Sequence, residues 1–389
     1  MKQSLWTISK VILLCGFLYL GILASGFFGV KYGYTNVAGA VDANNQDFVE
    51  AQKKVAVIEK IEQAPALVIT TAEEKQTDAE KERENSLAKV KDENLCKILT
   101  VENVSPINAK AIADTYEKTG SHVLVAKMIL AVKLRLKDNE QFNTAYARCE
   151  KTESQLSLDI IKLRFASANN QNIFPWMNSG EWETIKQGVI KDKDSIIRAA
   201  NAAGVEPRLL VASLIVEQIR LFYSQRELFE KFFEPLKILG NATKISLGVM
   251  GIKEKTAIDV ENHLKDKNSP YYLGAAYENL LDFKTQNISG ERYTRLTNDK
   301  DHYYCYLYGA LYLKQIISQW QKAGYNIQYR AEIVGTLFNV GFPQSKPNPN
   351  PKVGGSAINV GSGKYSFGSL SYEFYYSGEL QEEFPFQLN

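Results

Sequence analysis

The sequence is poor in the side chains from which metal centres are built. Its 389 residues include three histidines and four cysteines. His122, His263 and His302 lie far apart, and no cysteine or carboxylate accompanies them at the spacing of a metal ligand set. Glycine-rich phosphate loops and Gly-x-Ser-x-Gly nucleophile motifs are absent too. We therefore predict no metal site and no cofactor, and three histidines with unrelated roles.

Dense positive charge is also lacking. The 46 lysines and arginines nearly balance the 44 aspartates and glutamates, so the formal net charge is +2. No basic patch marks a nucleic-acid surface, and we predict no nucleic-acid partner. The remaining composition, 45% hydrophobic and 23% charged, is that of an ordinary globular protein. The length suits about two to three domains.

A long apolar run lies near the N-terminus. Residues 11–30 (VILLCGFLYLGILASGFFGV) are uncharged and mostly apolar, about the length that crosses a bilayer. Lys2 and Lys10 precede the run, which favours a cytoplasmic N-terminus with the rest of the chain outside. The alternative is a cleaved signal peptide with a small-residue site at 38–40, but Lys31 and several further residues separate that site from the run. We expect an uncleaved single-pass anchor in the cell membrane, with the rest of the chain extracytoplasmic.

The cysteines leave two interpretations open. Cys15 lies in the apolar run. Cys96 and Cys149 flank a helical region, and in an exported chain they can form a disulfide. Two separate buried thiols are the alternative. Cys305 lies in the apolar stretch HYYCYLYGALYL without a catalytic partner, and we assign it to the core.

Composition divides the chain into five parts. The charged segment 73–92 (EEKQTDAEKERENSLAKVKD) is typical of a solvated helix or a flexible tether. Ser105-Pro106 and Gly120 mark the start and end of a helix in a small globular module. The predicted parts are a cytoplasmic tip with the transmembrane anchor (1–34), a charged stalk (35–94), a small helical module (95–166), a larger helical domain (167–342), and a Pro/Gly-rich loop with an aromatic C-terminal segment that packs on the larger domain (343–389).

A glutamate in an apolar helix is the most unusual feature of the larger domain. Glu217 lies in the stretch PRLLVASLIVEQIRLF, and Leu210, Leu214 and Leu221 share its side of the helix. An ionised carboxylate in such surroundings is costly without a partner. A structural interpretation pairs it with Arg220 at i+3. The alternative is a catalytic carboxyl group, because an apolar surround disfavours the charged form.

Four segments, in order along the chain, resemble the catalytic domain of the soluble lytic transglycosylase and goose-type lysozyme superfamily. The first, AANAAGVEPRLLVASLIVEQ, is similar to the helix–turn–helix that ends in the family's catalytic glutamate, and Glu217 falls on that position. The second, SLGVMGIKEKTA from Ser246, is similar to the Gly-Leu-Met-Gln-Ile motif and the Thr-Ala that follows it. The third, YGALYLKQIISQW from Tyr308, and the fourth, GTLFNVGF from Gly335, are similar to the family's Gly-Ala-x-Tyr-Leu helix and its Ala-Tyr-Asn-Ala-Gly motif.

This resemblance implies a mainly α, lysozyme-like lytic transglycosylase domain over residues 167–342, acting on the glycan strands of peptidoglycan. It gives Glu217 the role of the catalytic acid/base. It implies no metal and no cofactor. It also implies substrate contacts from six further residues, which are Ser246, Gly248, Met250, Tyr312, Phe338 and Asn339.

The chain departs from the family pattern at several positions. Gln218 stands where serine usually follows the catalytic glutamate, and Gly251 stands where the second motif has glutamine. Phe338 replaces the tyrosine of the fourth motif, and residues 253–255 (KEK) replace a segment that often contains proline. These changes affect substrate positioning. They leave open a domain that binds glycan without cleaving it.

The absence of a matching second carboxylate favours the transglycosylase form of the reaction. A hydrolase commonly uses two carboxyl groups. The family's transglycosylases use one residue as acid and then base, while the sugar's own C6 hydroxyl attacks. We therefore predict a membrane-anchored peptidoglycan lytic transglycosylase that cleaves the β-1,4 bond between N-acetylmuramic acid and N-acetylglucosamine. The alternative is a catalytically inactive lysozyme-like glycan-binding or scaffold module of a cell-wall or secretion assembly.

Overall fold

The computed structural model describes residues 46–62, 78–151, 156–166, 171–223, 246–360 and 363–387, with four isolated positions near the N-terminus. The predicted anchor at 11–30 and the alternative cleavage site lie almost entirely outside these residues. Among the described residues, no single helix is both long and apolar enough to cross a membrane. The helices Lys193–Ala203 and Pro207–Tyr223, bent by 119° at their junction, meet the criteria of length and composition only as a pair.

The described residues form fourteen α-helices and two short antiparallel sheets, which confirms the predicted mainly α class. They divide into two compact units, which we call the N-terminal unit (Asp42–Lys191 and Gly368–Asn389) and the Glu217 unit (Asp192–Phe367, grouped with Met1–Val41). The helices before Asp192 are α1 (Gln46–Glu62), α2 (Asp78–Glu102), α3 (Pro106–Thr119), α4 (His122–Arg135), α5 (Glu140–Arg148), α6 (Leu158–Lys162) and α7 (Gly180–Lys191).

Local sequence sets the helix ends in the N-terminal unit. Pro106 lies in the first turn of α3, and Gly120 ends that helix with φ 64 while its N–H donates to the Tyr116 carbonyl, as the sequence predicts. The Ser121 hydroxyl caps α4 by accepting from the Leu124 N–H at 3.2 Å. Fully or nearly fully buried apolar side chains form the core between these helices, including Leu95, Ile98, Val125, Met128, Ile129 and Phe142.

A disulfide joins Cys96 of α2 to Cys149, which follows α5. Of the two interpretations, a disulfide or two separate thiols, the structure therefore has the disulfide. The Thr100 hydroxyl lies 3.6 Å from the Cys149 sulfur, and Cys149 is 1% exposed. The bond ties the start and the end of the four-helix segment α2–α5 together.

Removing this disulfide is expected to lower the free energy of unfolding of the N-terminal unit by about 4 kcal/mol, because it closes a long loop in the unfolded chain. The double variant Cys96→Ser/Cys149→Ser and the wild type should be compared by hydrogen exchange of the amides in α2 and α5. Cys305→Ser is the control, since it removes a thiol outside the bond and should leave exchange in α2 and α5 as in the wild type. Equal protection in the double variant and the wild type would contradict the prediction.

The C-terminal aromatic segment does not lie where the sequence predicts. The prediction placed all of residues 343–389 on the larger domain. Residues Gly368–Asn389 belong to the N-terminal unit. Glu373 ion-pairs there with Arg135 and accepts a hydrogen bond from Trp176 Nε1 at 2.8 Å. Aromatic composition indicates that a segment needs a partner surface, but it does not say which surface provides Arg135 and the buried Trp176.

The boundary between the units also differs from the predicted division at residues 166 and 167. Helix α7 belongs to the N-terminal unit, because Trp182 packs on Trp176 with ring centroids 5.3 Å apart and on Phe374 at 6.1 Å. Residues 171–191 therefore lie inside this unit. The second unit begins at Asp192.

The Glu217 unit is built mainly around one long buried helix. Its elements are α8 (Lys193–Ala203), α9 (Pro207–Tyr223), β1 (Ser246–Leu247), β2 (Ile252–Lys253), α10 (Glu254–Lys265), α11 (Ile288–Thr297), α12 (Tyr303–Lys322), α13 (Ala331–Val340), β3 (Ala357–Val360) and β4 (Gly363–Ser366). The last helix, α14 (Phe367–Tyr376), belongs to the N-terminal unit from Gly368 onward. Helix α12 packs on α8, α9, α10, α11 and α13. Helix α9 packs on α8, α12, α13 and β3.

The loop after α13 returns to the Glu217 unit, as its flanking aromatic residues predict. Strands β3 and β4 form a hairpin in which Ile358 pairs with Tyr365. The Thr336 hydroxyl accepts from the Gly354 N–H at 3.0 Å. Phe367 is fully buried, with its ring 6.2 Å from that of Phe338. These contacts hold the hairpin against α13.

Candidate active site

Glu217 lies in α9 with 3% of its surface exposed. Nε of Arg220 donates to its Oε2 at 2.9 Å, and Nη2 of Arg220 donates to Oε1. Residues three positions apart lie on neighbouring turns of one helix face, so the pair forms within α9. The carboxylate therefore has a bidentate guanidinium partner, as the structural interpretation of the sequence expects.

A glycine turn lies directly against the Glu217 carboxylate. It comprises residues 248–251 and connects β1 to β2, with the Gly251 N–H donating to the Gly248 carbonyl at 3.1 Å. Gly251 has φ +59, and a Cβ at this position would overlap Oε1 of Glu217 and lie 2.7 Å from its Cγ. Glycine is therefore required here both by the backbone conformation and by the space that Glu217 fills. No side chain, including the glutamine of the family motif, fits there while Glu217 keeps this position.

The residue after Glu217 contacts the same turn. The Gln218 side-chain amide donates to the Val249 carbonyl. Gln218 and Gly251 are two of the positions at which the chain departs from the family pattern. In the structure both departures lie at one contact, because one tethers the glycine turn to α9 and the other lets the turn approach Glu217.

The thiol of Cys305 also contacts the glycine turn. A Cβ at Gly248, which has φ +62, would lie 2.8 Å from the Cys305 sulfur and would overlap the Leu296 carbonyl oxygen. The backbone N–H groups of Val249 and Met250 donate towards the sulfur. Burial raises the pKa of the Cys305 thiol to about 12, so the thiol is protonated at neutral pH.

The second and third segments of the resemblance are in contact. Met250 is fully buried, and a Cβ at Gly309 would lie 2.7 Å from Met250 Cε and 3.4 Å from its sulfur. Gly309 therefore gives the Met250 side chain the room to pack on α12. The Gly-Ala sequence of the third segment thus has a local packing role beside the candidate site.

The third and fourth segments meet through Tyr312 and Phe338. The Tyr312 hydroxyl donates to the Phe338 carbonyl at 3.2 Å, and the two rings lie 5.3 Å apart. Burial raises the pKa of Tyr312, which keeps the hydroxyl protonated as a donor. Tyr312 is 3% exposed and Phe338 is 8% exposed. In this structure both side chains are buried, and the Tyr312 hydroxyl holds the backbone at Phe338.

Asn339 holds the segment that leads to β3. Its Oδ1 accepts from the Ser356 N–H at 2.7 Å and from the Ser356 hydroxyl at 2.9 Å. A Cβ at Gly355 would lie 3.0 Å from the same oxygen. The amide of Asn339 thus fixes the start of the β3–β4 hairpin on α13.

The contacts join all four segments of the resemblance into one continuous arrangement. Glu217 touches Gly251, Met250 touches Gly309, and Tyr312 binds the Phe338 backbone. Of the remaining predicted residues, Gly248 forms the glycine turn and Asn339 anchors the hairpin. The backbone of Ser246 pairs with Lys253 in β1, whereas its side chain lies outside the described part of the structure. The substrate contacts assigned to these residues stay predictions.

Two residues near the site were not predicted from the sequence. Cys305 is buried, as its assignment to the core predicts, but its contact with the glycine turn was not predicted. Its position four residues before Gly309 places both on one face of α12, and this spacing is a signal that sequence reasoning could have used. Ser356 lies in the long loop, and no periodicity links it to Asn339.

The three histidines occupy separate surroundings. Nδ1 of His122 contacts the Tyr116 hydroxyl at 2.5 Å, Nδ1 of His263 contacts the Ser269 hydroxyl at 2.8 Å, and Nδ1 of His302 pairs with Asp192. Across the part of the chain that the structure describes, no group of three or more His, Cys, Asp or Glu side chains is arranged to hold a metal ion.

Comparisons of this chain with protein-family models, with curated protein sequences and with solved structures found no match.

Proposed function

We propose that the Glu217 unit is a lysozyme-like domain that cleaves the β-1,4 bond between N-acetylmuramic acid and N-acetylglucosamine in peptidoglycan, with Glu217 as the acid/base. The observation that carries the proposal is the contact between the buried Glu217 carboxylate and Gly251. The sequence resemblance selects these two segments independently, and they lie far apart along the chain. Their contact supports a common site for the two motifs.

The proposed chemistry needs one carboxyl group. Glu217 in its protonated form donates its proton to the glycosidic oxygen as the bond from that oxygen to C1 breaks. The C6 hydroxyl of the same muramic acid then forms a bond to C1, and its proton passes to the Glu217 carboxylate. The products are a strand with a 1,6-anhydro end and a strand with a free 4-hydroxyl, and no water is consumed.

The surroundings of Glu217 support this role in one respect. The side chain is almost completely removed from solvent, and α9 is apolar around it. Such a site strengthens every interaction between the carboxyl group and a bound sugar. The glycine turn next to the carboxylate is held in place, because Gln218 and Cys305 both make hydrogen bonds to its backbone.

A second candidate function is favoured by the ion pair with Arg220. Both oxygens of Glu217 accept from the guanidinium, so in this state neither presents a proton to a substrate. A permanently paired Glu217 would make the domain a glycan-binding or scaffold module of a cell-wall or secretion assembly. Differences from the family pattern also favour the binding or scaffold module. They lie at Gln218, Gly251 and Phe338.

We also propose that the chain is anchored in the cell membrane by its N-terminal apolar run, with both units outside the cytoplasm. The disulfide between Cys96 and Cys149 supports this placement, since such bonds persist in oxidising compartments. The partners are then the membrane, through one helix, and the glycan strands of the wall.

The test of the proposed function is digestion of purified peptidoglycan by the full chain. Cleavage predicts that soluble fragments accumulate with time. Sedimentation of the protein with peptidoglycan, without release of soluble fragments, would contradict cleavage and favour the binding module.

A further inference from the structure

Three aromatic side chains meet at the end of the fourth segment of the resemblance. The rings of His263 in α10, Tyr271 and Phe342 lie with their centroids between 4.6 and 4.8 Å apart, and we call this group the ring cluster. Tyr271 and Phe342 are buried, whereas His263 is half-buried. The Tyr271 hydroxyl also donates to the Phe342 carbonyl at 3.0 Å. The ring cluster therefore holds Phe342 by both its side chain and its backbone.

Phe342 connects the ring cluster to residues with predicted substrate contacts. Its ring lies 4.6 Å from that of Tyr312, whose hydroxyl binds the Phe338 carbonyl. Asn339 lies between Phe338 and Phe342 in the chain, and it fixes the start of the β3–β4 hairpin through Ser356. A displacement of Phe342 would therefore act on Tyr312 and on Asn339.

The contact between His263 and Ser269 depends on the protonation of the imidazole. Nδ1 of His263 lies 2.8 Å from the Ser269 hydroxyl, whose oxygen accepts from the Tyr271 N–H at 3.1 Å. A neutral imidazole can accept the hydroxyl proton at Nδ1, whereas a protonated imidazole can only donate there. The hydroxyl proton then needs another acceptor, at a residue that is 8% exposed. Protonation of His263 therefore costs a hydrogen bond and buries a charge.

Ionisable groups from three elements surround the ring cluster. They are Lys255 and Asp259 of α10, Asp266 and Tyr271 of the loop after it, and Tyr312 of α12. Burial has the largest effect and lowers the pKa of His263 below its ordinary value of 6.5. The two aspartates act in the opposite direction, and the lysine acts with the burial. Burial raises the pKa of both tyrosines, so they stay neutral, and residues 341–345 have no titratable side chain.

We propose that His263 is a positioning residue that holds Phe342, and with it the fourth segment, only while its imidazole is neutral. The folded unit takes up this proton less readily than the unfolded chain does. The stabilisation is therefore complete above pH 6.5 and is lost as the pH falls below that value. The ring cluster thus acts as a pH switch on the fourth segment. This switch goes beyond the proposed function, since it acts whether or not the unit cleaves glycan.

Hydrogen exchange of the full chain at about pH 7.5 and at about pH 5, on either side of the ordinary pKa of histidine, tests the switch. The reporting amides are those of Ser345, which donates to the Phe342 carbonyl, and Ser356, which donates to Asn339. After correction for the intrinsic exchange rate, their protection in the wild type should be about fivefold lower at the acidic pH, the size of one lost hydrogen bond.

Two variants remove the titration of His263 in different ways. His263→Phe keeps a ring against Tyr271 and Phe342. His263→Asn loses the ring, but its side-chain oxygen can accept from the Ser269 hydroxyl. In both variants the fall in protection of the reporting amides at acidic pH should disappear. Thermal melting at neutral pH verifies that each variant is folded.

His122→Asn is the matched control. His122 lies in the N-terminal unit, its Nδ1 also contacts a hydroxyl group, that of Tyr116 at 2.5 Å, and burial lowers its pKa as well. This variant removes an equivalent imidazole from the other unit. The reporting amides should therefore respond to acid as they do in the wild type.

Two outcomes would overturn the switch. One is a wild type whose reporting amides are equally protected at both pH values. The other is a folded His263→Phe or His263→Asn variant in which the fall in protection keeps its wild-type size. Fragment release from peptidoglycan is measured separately, so a failure of the switch is distinguishable from a failure of the proposed function.

Discussion

Glu217→Gln is expected to reduce the release of soluble fragments from peptidoglycan by about a thousandfold, within the range that loss of a general acid produces. Glutamine keeps the shape of the side chain but has no carboxylic proton to donate to the leaving oxygen. The variant also removes the negative charge that pairs with the Arg220 guanidinium within α9, so we expect a lower melting temperature than that of the wild type. Rates and melting curves should be measured on the full chain.

The control for this variant is Glu261→Gln. Glu261 accepts a bidentate contact from Arg292 and a hydrogen bond from the Tyr308 hydroxyl at 2.6 Å, so its loss also disrupts a partly buried ion pair in the same unit. We expect a comparable fall in melting temperature with cleavage retained. If Glu217→Gln cleaves as fast as the wild type, Glu217 is not the acid. If both variants lose cleavage equally, the loss reflects stability and not chemistry.

Gly251→Ala is expected to have the second largest effect, because it acts on backbone conformation and on Glu217 together. An alanine at φ +59 costs about 1–2 kcal/mol relative to glycine. Its Cβ would also overlap the Glu217 carboxylate, so either the glycine turn or α9 must shift. A shift of about 1 Å at a catalytic group costs on the order of a hundredfold in rate. We therefore expect a lower free energy of unfolding and a large loss of cleavage.

Gly324→Ala separates the two contributions. Gly324 lies in the same unit with φ +88, and a Cβ there would meet no atom within 4 Å. This control has the same backbone cost of about 1–2 kcal/mol without a collision, and it should cleave at the wild-type rate. Urea denaturation and fragment release should be measured for both variants. A Gly251→Ala variant that matches Gly324→Ala in both measurements would show that Glu217 does not depend on the glycine turn.

The helix ends show how much of the fold the sequence determines locally. Pro106 and Gly120 bound α3 as predicted, because proline at the first turn and glycine in the left-handed conformation act through their own backbone. The mainly α class follows from the same kind of signal. The pairing of Glu217 with Arg220 could also be predicted from the sequence, since an i+3 spacing brings two side chains of one helix together.

The division into units could not be predicted from the sequence in the same way. Glu373 and Phe374 form part of an aromatic segment whose partners, Arg135, Trp176 and Trp182, lie far away in the sequence. Hydrophobic pattern predicts that such a segment is buried, but it does not select between two available surfaces. The prediction therefore placed residues 343–389 on one domain, whereas the structure divides them at Phe367.

Two positions at which the chain differs from the lytic transglycosylase pattern that it resembles make contacts that only the structure shows. Gly251 appeared as the loss of a glutamine, but its left-handed φ and its contact with Glu217 leave no room for a side chain. Gln218 appeared as the loss of a serine, but its amide reaches the Val249 carbonyl in the same turn. Each substitution depends on a residue in the other segment, so neither can be interpreted from its own local sequence.

The central claim is that Glu217 cleaves glycan strands by transferring a proton without using water. Mass spectrometry of the soluble fragments released from purified peptidoglycan by the full chain tests it most directly. We expect fragments that end in 1,6-anhydro-N-acetylmuramic acid for the wild type and their disappearance in Glu217→Gln. Fragments with ordinary reducing ends would contradict the transglycosylase reaction, and the absence of any released fragment from the wild type would contradict cleavage itself.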